Sequence, residues 1–459
     1  MRSKKQSFTL SHDINYNSRS TLNNNEAIDL SSISGSCETM RENIYNPYEH
    51  RILQHPNTYF GAVVHIAKGS LGTGVLAVPR AFKTAGLLVG TIGTVLVGIL
   101  CTYNVHLLVS ASLKICVKTK TPSLGFSESV EEIFKNGPMP IRSWSKFAKI
   151  FVEIALCLTY YLAIAVYAVF ISESLTKLVS FYHPPASSWN LYFILVLFVL
   201  LVVCCQIREL KRLVPFSVVA NMAMVTAFLI TLYYMCERMA KVNVAERHLA
   251  TSLSAIPSYF STVLFAMEGI GTILPVENSM SEGRFLGFGG ALNLAMAFVV
   301  TCHTTIGFCG YYAFGEDTKA AITQNLPSDE IPAQVVQGCI SASMFFTFML
   351  NHHVPTEILW RRLQPYVPTG KEGVAQVALR SSTVTFAMLV AAAANKNLDA
   401  LMDLVGAVFF SILGLFVPAV VDILVNWSAW GRYHWRLLQD GVLIVMALFA
   451  LVSGTYYAL

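Results

Sequence analysis

Charge is scarce in this sequence: only 13% of its 459 residues are Asp, Glu, Lys or Arg, against 54% that are hydrophobic. An ordinary soluble domain carries about 25% charged residues, so a single water-soluble core is excluded. The first 50 residues lack an apolar stretch of the signal-peptide kind. Rich in Ser and Asn, residues 1–50 read as a disordered cytosolic tail, leaving 51–459 as one membrane domain. Metal-ligand and redox spacings are missing as well. Of the ten cysteines, Cys101, Cys157, Cys204, Cys205, Cys302, Cys309 and Cys339 fall inside apolar runs, where they read as small packing residues. The run Gly69-Ser-Leu-Gly72-Thr-Gly74 is neither a dinucleotide fingerprint after a strand nor a phosphate loop with a Lys-Ser/Thr ending. With no metal cluster, cofactor motif or nucleophile–base constellation, an enzyme is not expected. The net charge of +5 is spread over short connectors and forms no basic stripe, which argues against a nucleic-acid partner.

Apolar length is abundant. Runs of about 18 residues or more, each able to cross roughly 30 Å of hydrocarbon as a helix, recur after residue 56. They define about eleven spans: 57–84, 86–113, 147–174, 190–207, 213–236, 257–282, 288–313, 334–360, 378–395, 399–425 and 438–458. The expected fold is therefore an all-α polytopic membrane protein whose solvent is the lipid bilayer. Counted on alternate sides, most Lys and Arg fall on the side of the N-terminus. That asymmetry predicts a cytosolic N-terminus and an outer or luminal C-terminus. In the longest connector, 114–146, the stretch Ser127–Phe134 reads as a short amphipathic helix at the membrane surface.

Two spans are interrupted. The first contains His65-Ile-Ala-Lys-Gly69-Ser-Leu-Gly72-Thr-Gly74 and then Pro79; the sixth contains Phe265-Ala-Met-Glu268-Gly269-Ile-Gly271 and then Pro275. Glycine weakens a helix interior by about 1 kcal/mol relative to alanine, and unwound backbone at membrane depth survives only where it is buried or lines a cavity. Freed amides at a half-helix N-terminus attract a carboxylate, and freed carbonyls at a half-helix C-terminus accept from an ammonium. Together they match a zwitterionic amino acid. Spans one and six are corresponding members of two five-span halves, and paired interruptions of this kind point to a transport site. The bland alternative is close helix packing through small residues.

At these residues the chain resembles the amino acid/auxin permease family, in its proton-coupled amino acid transporter branch. The stretches that carry the resemblance are His65 through Pro79, Phe265 through Asn278, Gly310-Tyr-Tyr-Ala-Phe-Gly315, Asn325-Leu-Pro327 and Val354-Pro-Thr-Glu357. The resemblance implies eleven spans in a five-plus-five inverted repeat with broken first and sixth helices. It also implies alternating access and symport of small neutral amino acids with protons, without a further cofactor. By position, His65 matches the first-span histidine associated with proton coupling, and the glycines of the breaks match substrate backbone contacts. Met267 departs from the aromatic residue common before the Glu-Gly pair, which leaves substrate size open. The outer loops 175–189 and 314–333 contain no cysteine, so the disulfide common in relatives is not expected.

The candidate substrate contacts are Gly69, Ser70, Gly72, Thr73, Gly74, Phe265, Met267, Gly269, Gly271 and Tyr161, the two aromatics as gates. The candidates for proton coupling are His65, Glu268 and Lys68. An imidazole titrates near pH 6.5 and suits proton uptake on an acidic face and release on a neutral one. Lys68 calls for a carboxylate partner, with Glu268 the candidate, or else faces water. Glu268 pairs with a cation, carries a proton or caps the break. His303, His352 and His353 are unassigned, and Asp399 and Asp403 read as caps at the start of span ten. Two rival functions stay open: a sodium-coupled transporter of the same fold, and an amino-acid sensor that signals to a cytosolic partner through the tail.

Overall fold

The structure, a computed structural model, describes residues 45–458 except 54, 209, 268, 396 and 428–433. The tail expected over 1–50 lies outside the described residues as far as 44, and Pro47–His50 form a single 3-10 turn. Apart from one backbone bridge between Asn57 and Met280, the regular elements among the described residues are all helical.

Span one is split into α1 (Tyr59–Ser70) and α2 (Gly74–Ala85), bent by 56° at the break. Thr58 starts α1 by accepting from the Gly61 amide, an N-cap of the usual kind. Then come α3 (Leu87–Thr119), the connector helix α4 (Phe126–Lys135), α5 (Ser145–Tyr182), α6 (Asn190–Cys204) and α7 (Leu210–Met239). Span six is likewise two pieces, α8 (Ile256–Ala266) and α9 (Ile270–Asn278). The rest are α10 (Ala291–Phe314), α11 (Ile331–Leu363), α12 (Glu372–Ala393), α13 (Leu398–Val405), a π-helical stretch Gly406–Phe416 that runs into α14 (Val417–Val425), and α15 (Trp435–Ala458).

Nine helical stretches among the described residues are long and apolar enough to span a bilayer, and the bent α1–α2 pair makes ten. The eleventh expected span is α6, only 15 residues long. At 1.5 Å per residue it covers about 23 Å, short of a full crossing. The 38-residue α5 reaches about 57 Å and projects well beyond the hydrocarbon. On α3 the residues Leu88, Ile92, Leu96 and Ile99 are 52–60% exposed. Such an outward apolar stripe at helical spacing is stable against lipid and not against water.

The two halves meet member to member. The pieces of span one pack on those of span six, α3 on α10, α5 on α11 and α6 on α12, so four of five corresponding pairs touch. Two structurally related halves facing each other across a common axis produce this pairing. The connector helix α4 has the expected amphipathic form: Phe126, Ser129, Val130 and Ile133, one helical face, are buried against α5 and α3.

Candidate functional site

Both breaks open on one cavity of about 510 Å³. One wall comes from α1, with His65, Lys68 and Gly69, and the facing wall from the start of α9, with Gly269, Ile270, Gly271 and Thr272. Tyr160 and Tyr167 of α5, Asn351 of α11 and Phe410 of the π-helical stretch close the sides. Asn351 donates to the Tyr167 hydroxyl at 3.1 Å. The cavity runs from the breaks toward Asn57, Pro275 and Ser279, the end where the chain leads into α1. A second space of about 30 Å³, room for a water or two, lies behind the breaks against Ser70, Met267, Gly269 and Phe410.

The two helix ends at the cavity carry opposite partial charge. At α9 the Gly269 N-cap supplies no side-chain hydrogen bond, so the first amides, Ile270 and Gly271, lack an intrahelical partner. At α1 the last carbonyls belong to Lys68, Gly69 and Ser70. Glycine is required at Gly74, where the pieces cross and a Cβ would stand 2.5 Å from the Ala266 Cα; a Cβ on Gly271 would instead meet the side-chain end of Tyr160, 2.6 Å from its hydroxyl. Around Gly72 there is open space, with nothing within 4 Å of the point a Cβ would occupy.

The far end is sealed. Val75, Leu76, Ala77, Val78 and Phe82 of α2 are at most 3% exposed. Above them Arg80 forks onto Asp403, Nη1 to Oδ1 at 3.0 Å and Nη2 to Oδ2 at 3.1 Å, while its Nε lies 3.1 Å from Asp399. Ser258 and Thr262 of α8 also donate to Asp403. One cluster thus ties α2, α8 and α13 together.

Several expected site residues converge and others do not. His65, Lys68, Gly69, Gly72, Gly269 and Gly271 line the large cavity, and Ser70 and Met267 the small one. Thr73 and Gly74 are buried at the helix crossing instead. Phe265 stands behind the wall with its ring 6.5 Å from that of Phe410, and Phe410 reaches the cavity in its place. Tyr161 also points away: its hydroxyl pairs with Thr356 at 3.1 Å and its ring faces His352 and Phe386. One residue is about 100° of helix rotation, and Tyr160 takes the cavity position. Glu268 lies outside the described residues. Lys68 donates to Ser217 of α7 at 2.9 Å and has no carboxylate partner among the described residues. Asp399 and Asp403, expected as caps, are held by Arg80.

Residues 55–459 match the family described as transmembrane amino acid transporter protein. A Drosophila melanogaster protein named proton-coupled amino acid transporter-like protein pathetic is 34% identical over 424 residues, covering 92% of this chain and 89% of the relative. Arabidopsis thaliana amino acid transporter AVT3C is 26% identical over 421 residues, covering 88% and 91%. The inward-facing conformation of Mhp1 shares the fold, with a TM-score of 0.51 at 14% identity over 89% of this chain and 93% of that one.

Proposed function

The chain belongs to the transmembrane amino acid transporter family, and from that premise we propose that it carries small neutral amino acids, of the alanine, glycine and proline kind, in symport with protons by alternating access. The observation that carries this reading is the pair of oppositely polarised half-helix ends facing one cavity. The amides of Ile270 and Gly271 receive the substrate carboxylate, where a helix N-terminus favours negative charge. The carbonyls that end α1 receive the ammonium. A small side chain then meets Ile270, Phe410 and Leu413, an apolar wall with no charge to select a basic or acidic one.

Protons enter through the α1 wall. His65 and Lys68 are exposed on the same face of that helix, both lining the cavity. Protonating either one changes the charge that the substrate faces, and a change at Lys68 also alters its tie to Ser217 on α7. The name of the Drosophila relative supports the proton as coupling ion. With the N-terminus cytosolic, the cavity opens to the cytosol and the Arg80 cluster seals the outer or luminal side, so this is the releasing state. A neutral amino acid moving with one proton carries one positive charge, worth about 2.3 kcal/mol per 100 mV of membrane potential.

The test is uptake and current in oocytes at pH 5.5 and 7.5 with alanine, glycine and proline, with and without sodium, for the wild type and His65→Ala. Sodium-independent uptake that rises at acid pH with inward current, and loses its pH dependence in His65→Ala, is expected. Uptake that requires sodium would assign the other coupling ion. Binding without flux despite surface expression would favour the sensor.

A further inference from the structure

Away from the breaks, a densely bonded polar cluster surrounds Arg51, which precedes α1. Its side chain is 2% exposed and that of Glu277, in the last turn of α9, is 1% exposed. Nη2 donates to both Glu277 carboxylate oxygens at 3.0 Å. Nη1 donates to the backbone carbonyls of Glu277 at 2.8 Å and Met280 at 3.1 Å, and Nε to that of Pro122 at 3.0 Å. The Tyr48 ring lies under the guanidinium at 4.4 Å. Burial, followed by the nearby Glu277 carboxylate, raises the Tyr48 hydroxyl above its ordinary range, which keeps it a donor to Glu277. Six residues on, the Asn57 amide donates to the Ser279 carbonyl at 2.8 Å, and Asn57 pairs with Met280.

These bonds have a mechanical consequence. A guanidinium that fills a carboxylate fork and caps the carbonyls ending a helix fixes both position and angle. The chain at 48–57 leads directly into α1, whose residues line one cavity wall; α9 forms the facing wall. We propose that Arg51 is a positioning residue that clamps the segment before α1 to the end of α9, so that these two halves of spans one and six move as one body during transport. This rests on the transport reading above, and it assigns the opening and closing of that cavity end to the joint movement of α1 and α9 against α5, α7 and α11. A lysine does not replace Arg51, because an ammonium cannot serve the carboxylate fork and three carbonyls at once.

Two measurements test the clamp. Bridge-paired backbones lie roughly 4.8 Å apart, within reach of a disulfide, so Asn57→Cys with Met280→Cys gives a switchable covalent clamp. Uptake by the oxidised double variant is expected to stay within twofold of the reduced one. Arg51→Gln is expected to lose at least tenfold in uptake at equal surface expression, and oxidising the two cysteines in that background to restore at least half of it. A tenfold block on oxidation that reduction reverses would show that the halves part during the cycle, and failure to restore Arg51→Gln would show that the ion pair does something other than clamp. Hydrogen exchange on purified protein supplies a readout independent of transport: residues 270–280 of Arg51→Gln should exchange at least tenfold faster with 256–266 unchanged. Unchanged exchange over 270–280 overturns the clamp, whereas absent wild-type uptake in either redox state overturns the transport reading alone.

Discussion

Arg80 holds two carboxylates, Asp403 through a fork and Asp399 through Nε. The Asp403 side chain is 4% exposed, and removing one partner of a buried pair strands the other charge at a cost of about 3–5 kcal/mol. Arg80→Gln should therefore lower the thermal midpoint of the purified protein clearly, and Arg80→Gln with Asp403→Asn should recover much of the loss; a scan of the three proteins decides it. At this scale the sequence is a partial guide. His65, Lys68 and the break glycines announce themselves by being charged or flexible in an apolar run, and all of them but Gly74 line the cavity. Asp403 lies more than 300 residues from Arg80, so its local signal, an acid near a helix start, predicts a cap and hides the partner. Tyr160 and Tyr161 are adjacent aromatics, and only the rotation of α5 decides which one faces the cavity.

The broken spans work because their pieces cross at glycine and end at glycine, two different demands. At Gly74 the demand is contact: a side chain would enter the backbone of Ala266. Gly74→Val should abolish uptake while the protein still reaches the membrane, as measured by surface biotinylation beside flux. At Gly72 the space is open, so Gly72→Ala should express normally and shift preference toward the smallest substrate, read as the ratio of glycine to proline uptake. Equal losses at both positions would mean that the two glycines serve one packing role. Span positions and both breaks were legible because length, hydropathy and glycine clustering are local properties. The π-helical stretch was not, since Gly406–Phe416 reads as an ordinary apolar run. Wider turns of this kind accompany functional sites, and here the stretch carries Phe410 into both cavities.

Across the whole molecule, contacts between corresponding spans turn two halves of a chain into one device with a cavity between them. The far ends of spans one and six are joined through Arg80 and Thr262, and the near ends through Arg51 and Glu277. A structure sealed at one end and open at the other is what alternating access requires, and under the proposed symport His65 and Lys68 on the cavity wall set what travels with the substrate. The most direct test uses purified protein in liposomes free of sodium, with a pH-sensitive dye inside and alanine, glycine or proline added outside. The account predicts that the amino acid gradient alone acidifies the lumen, faster when the membrane is clamped with valinomycin and potassium, and that His65→Ala moves amino acid with little or no acidification. Amino acid accumulation by the wild type with no change in luminal pH would contradict it.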